Sequence, residues 1–319
     1  MRLVMCMLLG GLVSAPALAQ QYPSKPIRLI VAFAPGGASD LLARTLATRL
    51  SESIGQTVVV DNRPAAGGIV GSDLVAKAAP DGYTLLVGSA AAFAITPHLN
   101  VKLPYDTVKD FAPVSPFASL SFVLTVSPKV PAQSLKELIA LAKAKPGTLN
   151  LGSAGNGTTT HMVGELFKHT AGVDLAHVPF KGAGPAMVAL IAGEIQVLFD
   201  ASITALPQVK AGRIRALAVG SPKRSALFPD VPTIGEAGLP GFSAGNWFGV
   251  FAPAKTPAGV IAHINGTIAK VMEHPDARRD FLARGAEPMT SSPAAFTDLV
   301  ASEYERYGKL VKVSGIKFD

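Results

Sequence analysis

Two glycine-rich segments stand where a Val/Ile/Leu-rich run gives way to a helix-like one, and both have the residue types needed to hold an anion. The first is Phe33-Ala34-Pro35-Gly36-Gly37-Ala38-Ser39-Asp40. A helix start leaves its first N–H groups unpaired and carries the positive end of the helix dipole, while adjacent glycines let a ligand approach the backbone closely. The same segment also reads as a tight strand-to-helix turn with Ser39 or Asp40 as N-cap. Its spacing is not Gly-x-Gly-x-x-Gly, so it lends little support to a nucleotide site. The second segment, Gly152-Ser153-Ala154-Gly155-Asn156-Gly157-Thr158-Thr159-Thr160-His161, repeats the logic of the first. Two such loops in two α/β units suit a cleft binder, because ligands sit beyond the carboxyl ends of parallel strands. His161 is either a ligand contact or a packed residue of a first helical turn.

Two charged residues stand in comparable places. Lys181, in His177-Val178-Pro179-Phe180-Lys181-Gly182, follows a strand-like run and could complement an anion or simply be solvated. Asp200 closes Val197-Leu198-Phe199-Asp200, where its carboxylate could accept hydrogen bonds from a ligand amine or hydroxyl, or cap the next helix. The search for an enzyme is mostly negative: there is no His-Glu-x-x-His and no phosphate loop of the Gly-Lys-Ser/Thr kind. The six histidines lack metal-ligand spacing, so neither a metal nor a cofactor is expected. A Ser/His/Asp set assembled from Ser89, Ser153, His161 and Asp200 keeps a secreted α/β hydrolase as the alternative.

The N-terminus carries Arg2, an apolar stretch over residues 3–13 and then Ala17-Leu18-Ala19, the pattern of a signal peptide of residues 1–19. The stretch is shorter than the roughly 18 residues that span a bilayer. The single cysteine, Cys6, lies inside this leader, so the exported chain of 319 − 19 = 300 residues has no disulfide and no thiolate metal site. It must be stabilised by its core. Without Arg2 the chain has 28 basic and 22 acidic residues, a net of about +6 spread thinly. No Lys/Arg block with interleaved aromatics occurs, which argues against a nucleic-acid partner, and the mild positive field favours anionic small molecules.

The elements that must position these residues alternate along the chain. Strands are expected at residues 27–33, 58–60, 83–87, 122–126, 149–152, 176–178, 196–199, 216–219 and 247–251. Helices are expected at 39–54, with Leu42, Leu46, Leu50 and Ile54 on one face, and at 134–145, opened by a Ser134/Glu137 capping box. Others fall at 160–169, 185–192 and 203–211, and near Pro257, Pro275 and Pro293. This is an α/β pattern with parallel layers. Roughly ten strands in one chain favour two lobes over a single doubly wound domain.

Several motifs, taken in order, resemble the extracytoplasmic receptors of tripartite tricarboxylate transporters, the Bug family. They are Pro35-Gly36-Gly37 with Asp40 and Arg44, Asp61-Asn62-Arg63-Pro64 before Gly67-Gly68, and Pro80-Asp81-Gly82-Tyr83-Thr84-Leu85. Ser153-x-Gly155-x-Gly157 to His161, His177-Val178-Pro179-Phe180-Lys181-Gly182 with Pro185-Ala186, Phe199-Asp200, and Lys210-Ala211-Gly212 leading to Arg215-Ala216-Leu217-Ala218-Val219 continue the series over essentially the whole exported chain. The resemblance implies a two-lobed periplasmic-binding-protein fold of the Venus-flytrap type, each lobe a mostly parallel sheet flanked by helices. One lobe comprises residues 20–121 plus 248–319 and the other 122–247.

On that pattern a ligand carboxylate is held by backbone amides and water between Phe33, Pro35, Gly36, Gly37, Ser39 and Asp40 on one side of the first lobe and Ser89 and Ala90 on the other. The second lobe closes with Ser153, Gly155, Asn156, Thr158, His161, Lys181 and Asp200. The implied protein is a periplasmic, monomeric receptor without catalysis, handing a small carboxylate to the integral membrane subunits of its transporter. A ligand sensor for a membrane signalling protein needs the same cleft. The family takes dicarboxylates, tricarboxylates, acidic amino acids and aromatic acids, and Phe33, Phe93 and Trp247 either favour a flat acid or pack a core. The chain departs from the family pattern at Ala189 and Gln196, where acidic residues are frequent, and both are expected to face away from the ligand.

Overall fold

Strand β1 (Ile27–Val31) is buried and apolar except at the exposed Arg28, and lies parallel between β2 (Val58–Asn62) and β3 (Thr84–Ser89). Helix α1 (Ala38–Ile54) connects β1 to β2, and α2 (Ile69–Ala76) connects β2 to β3. These elements belong to a computed structural model that describes residues 22–33, 35–64, 68–99, 102–156 and 158–314. The leader with Cys6, and Ala34, Gly67 and Gly157 of the quoted motifs, lie outside the described residues. Leu42, Leu46 and Leu50 of α1 are buried, as their spacing predicts, and Gly55 ends the helix in the left-handed conformation.

The central feature is β4 (Phe111–Val126), which takes two sets of partners. Its first part runs antiparallel to β9 (Gly245–Pro253), from Phe111↔Pro253 to Ser121↔Gly245, and β9 in turn runs antiparallel to β3. From Phe122 onward β4 pairs with β7 (Val197–Ala201) and β8 (Arg215–Val219), both antiparallel. β7 is parallel to β5 (Asn150–Ser153), which is parallel to β6 (Ala176–Pro179). The parallel ladders thus lie at the two flanks and the antiparallel ones around β4 and β9. A two-residue strand, β10 (Glu287–Pro288), adds to the first part of β4.

The sequence reading begins this strand only at residue 122. Residues 111–121 contain Pro113 and Pro116, which cannot donate to a ladder, and the register shifts beside each of them. Proline therefore disguises a strand that the neighbouring strand accommodates with two irregularities. Beyond Ser89, β3 runs into a π turn at Ala91–Ile95 and a 3-10 turn at Thr96–His98.

Apolar clusters lie on either side of the point where β4 changes partners. One packs α1 against Leu29, Val31 and Leu85, together with Ile264, Ile268 and Met272 of α7 (Ala258–Glu273) and Phe281 of α8 (Pro275–Ala283). The other packs Phe122, Leu124 and Val126 against Leu135 and Leu138 of α3 (Leu135–Ala144) and Val163 and Phe167 of α4 (Thr159–Ala171). The capping box is present in modified form: Ser134 accepts from the Glu137 N–H, while Glu137 accepts from Gln133 N–H at 2.7 Å. Phe93 stacks on Phe251 at 4.0 Å, and Trp247 meets Phe296 of α9 (Pro293–Ser314) edge-on at 5.4 Å. Both Phe93 and Trp247 are therefore core residues, whereas Phe33 is only half-buried. No helix among the described residues is long and apolar enough to cross a membrane.

The strands meet tightly at the changeover. Gly220 N–H donates to Phe122 O at 2.7 Å and Ala244 N–H donates to Gly220 O at 2.7 Å. A Cβ on Gly220 would stand 2.4 Å from Ala244 O. Backbone cannot yield as a flexible side chain does, so Gly220→Ala is expected to cost about 1–3 kcal/mol. Urea unfolding of the variant beside the parent protein measures it, and an unchanged midpoint would show that this crossing relaxes freely.

Candidate functional site

The first glycine-rich segment is braced from within. Asp40 is buried; its Oδ2 accepts the Gly36 N–H at 2.8 Å, and its Oδ1 accepts from Asn62 Nδ2 and Arg44 Nη2, each at 2.9 Å. Asn62 also donates to Phe33 O at 3.2 Å, tying the turn to the end of β2. Burial alone would raise the pKa of Asp40, but the bonds from Arg44, Gly36 and Asn62 outweigh it and hold the carboxyl below its ordinary value. Asp40 is the shaper of this loop: its oxygens already have partners.

Neither Ser39 nor Asp40 is the N-cap. Gly37 takes that place with φ −78°, and no side chain caps the helix. The left-handed residue is Gly36, at φ +83°. Pro35, Gly36 and Gly37 are exposed and Ser39 is half-buried, so the turn is open to solvent. Ser89 and Ala90 are buried at the end of β3, beside Phe248 of β9.

The second segment is knitted more closely. Ser153 Oγ lies 2.7 Å from His177 Nε2 and accepts the Gly155 N–H at 3.1 Å. Thr158 is the N-cap of α4, accepting from His161 N–H, and it donates to Gly155 O at 2.7 Å. Thr160 Oγ1 accepts the Ala154 N–H at 2.9 Å. Phe180 N–H donates to Ser153 O at 3.0 Å, which binds the end of β6 to this loop. Gly155 adopts φ +129°, so a side chain there would be strained. Asn156 is half-buried in the same turn.

The His161 and His177 rings stack face to face, 3.9 Å apart and 3° from parallel. Burial pushes His161 down to about 4, helped by His177 and Lys168, and burial likewise lowers His177. Both shifts favour the neutral imidazole. His177 is the member of this set that sequence reasoning missed; its signal was its place in the strand paired with Ser153.

Lys181 is exposed, one residue before Gly182, the N-cap of α5 (Ala183–Ala192). Asp200 is almost fully buried in β7, where Thr204 Oγ1 donates to Oδ2. Burial raises its pKa to about 6 against the opposing bonds from Thr204 and the Ala201 N–H. Helices α5 and α6 (Ser202–Lys210) both start without a side-chain cap. Ala189 is packed inside, and Gln196 binds Asn150 N–H and Gly193 O, so both departures from the family pattern serve the local fold.

These contacts do not assemble a hydrolase triad. Ser153 meets His177, not His161, and Asp200 bonds to Thr204. Gly241-Phe242-Ser243-Ala244-Gly245 has the Gly-x-Ser-x-Gly spacing, but it leads straight into β9 with no helix after the serine, so it is no nucleophile elbow. No group of three or more metal-binding side chains occurs among the described residues.

Residues 42–316 match the family described as the tripartite tricarboxylate transporter family receptor, TctC. Protein BugT of Bordetella pertussis is 39% identical over 306 residues, which is 96% of this chain and 94% of that protein. The chain belongs to this receptor family. A protein of R. palustris solved with adipate superimposes with a TM-score of 0.83 at 36% identity, over 93% of this chain and 99% of that one. MatC from Rhodopseudomonas palustris, solved with bound malate, gives 0.77 at 32% identity, over 91% and 100%. This receptor is thus a two-lobed solute-binding protein and not an enzyme.

Two expectations follow for this receptor. Replacing Asp40 by Ala removes the acceptor shared by the Gly36 N–H, Asn62 and the half-exposed Arg44 and should cost about 1–2 kcal/mol in calorimetric unfolding, with Asp40→Asn losing less. A loss below about 0.5 kcal/mol would show that the loop holds its shape without the carboxylate. Asp200 has the opposite sign. Its folded pKa, about 6, lies above its ordinary 3.8, so the native chain binds that proton more tightly and stability falls as pH rises from 4 through 6. Asp200→Asn should therefore stabilise by roughly 2–3 kcal/mol at pH 8 relative to its effect at pH 4. An equal effect at both would show that Asp200 titrates normally.

Proposed function

We propose that this receptor is exported by its leader of residues 1–19, captures a small dicarboxylate in the periplasm and presents it to the membrane subunits of a tripartite transporter. One observation carries the reading: α1, α5 and α6 begin, uncapped by any side chain, just beyond the ends of β1, β6 and β7. Such helix starts hold carboxylates by N–H donors and dipole. The relatives solved with adipate and malate point to the dicarboxylate class. An aromatic acid is less well supported, because Phe93 and Trp247 are spent in the core.

In this reading residues 20–121 with 245–319 and residues 122–244 move as two lobes of a single chain acting as a monomer; the return crossing falls at Gly245, where β9 joins the first part of β4, and not after Trp247 as the family pattern implies. Pro35 to Ser39, Ser89 and Ala90 meet the ligand from one side, braced by Asp40. Ser153, Gly155, Asn156, Thr158, His161, Lys181 and Asp200 meet it from the other. Ligand favours the closed form because only closure brings both sets within reach.

The test is a thermal-shift titration with malate, succinate and adipate, followed by analysis of the released acid. A saturable stabilisation, near 2.7 kcal/mol at about a hundred times Kd, with unaltered acid is expected. An acid released chemically changed at a sustained rate would overturn it. Gly37→Val should abolish binding and leave unfolding nearly unchanged, because φ −78° accepts a side chain and only the ligand's space is lost. Retained affinity would remove this turn from the site. Small-angle scattering should show a smaller radius of gyration with saturating malate or adipate, and capture of transporter membrane subunits would separate this role from that of a sensor.

A further inference from the structure

Met162 follows His161 in the first turn of α4, but it does not join Val163 and Phe167 in the cluster of its own helix. It is fully buried among Ala94, Ile95, Leu99, Tyr307, Leu310 and Val311. Ala94 and Ile95 belong to the π turn that follows Ser89 and Ala90, and Tyr307, Leu310 and Val311 belong to α9. The turns after β3 and α9 are themselves fastened together: His98 Nε2 lies 2.8 Å from Tyr304 O, and the two rings are 4.2 Å apart. Gly308 lets them approach, since a Cβ there would stand 2.7 Å from the His98 ring. Arg306 of α9 also donates to Ser243 O, at 2.7 Å, on the stretch that leads into β9.

We propose that Met162 is a positioning residue for ligand capture, an apolar knob through which the π turn and α9 set the spacing between Ser89–Ala90 and Thr158–His161. The inference rests on the proposed site, since it assigns those two segments to opposite sides of one ligand. Close packing transmits displacement instead of absorbing it, so a void at Met162 lets the first turn of α4 shift against the π turn. A ligand held between Ser89–Ala90 and the loop that opens α4 loses hydrogen-bond geometry when that spacing changes by a fraction of an ångström.

The experiment compares Met162→Ala, Met162→Leu and, from the opposite wall, Leu310→Ala, each in the full exported chain. Amide exchange without ligand should accelerate in both residues 90–95 and 159–163 for the two alanine variants, and should stay near the parent's in β1 and β2. Titration with malate and adipate should show Kd raised at least tenfold, mostly through koff, with Met162→Leu within threefold of the parent. Leu310→Ala keeps the test decisive if Met162→Ala does not fold. Faster exchange in 159–163 alone, or a lowered unfolding temperature with unchanged Kd and koff, would overturn the proposal. If the parent itself binds neither acid, the ligand class is wrong, and the exchange data still decide whether Met162 couples the two segments.

Discussion

A single continuous strand serves two sheets, and most of this receptor's geometry follows from that constraint. β4 gives its first part to β9 and its last part to β7 and β8, so the lobes share backbone hydrogen bonds instead of a mere linker. A backbone group in the middle of a sheet cannot be left unpaired without losing a hydrogen bond's worth of stability. The exchange of partners at Ser121 and Phe122 must therefore be complete on both sides, and Gly220 and Ala244 complete it. Glycine is required at the tightest of these contacts because carbonyl oxygen occupies the space of a Cβ.

The proposed site would hold its anion without a dedicated, partner-free cation. Arg44 is engaged with Asp40 and Asn62, Lys181 is exposed, and burial disfavours a charge on the two stacked histidines. What the proposal relies on are helix starts whose N–H groups no side chain has claimed, each following the carboxyl end of a strand in one of the two parallel sets. Such donors favour a carboxylate without a fixed ion pair, which leaves the rest of the ligand open to selection by shape. Asp200 adds a constraint of its own, since a buried carboxylate is unfavourable unless it is protonated or given a donor.

The polar groups of the second loop illustrate why chemistry-bearing residues need not do chemistry. Ser153 and His177 are within hydrogen-bond distance, as a nucleophile and its base would be. Here the serine hydroxyl also serves the Gly155 backbone, and the imidazole is stacked on a second ring. The pair fixes the turn that starts α4. The hydrogen bonds that would activate a nucleophile are spent on holding a backbone in place.

Local periodicity and local turn chemistry were legible in the sequence alone. Leucines four apart marked the buried face of α1, Gly55 its end, and Ser134 with Glu137 the start of α3, because each depends on contacts within a few residues. The glycine-rich turns were legible too, though not which glycine is left-handed. Only the folded chain decided that Asp40 braces the turn through Asn62 of β2, that His177 meets Ser153, and that Met162 leaves its own cluster for α9. Residues 111–121 were hidden for the same reason. Proline argues against a strand locally, and only β9, more than a hundred residues away, supplies the ladder that tolerates it. Contacts between distant segments are set by how sheets and helices pack, and one-dimensional spacing carries no record of that.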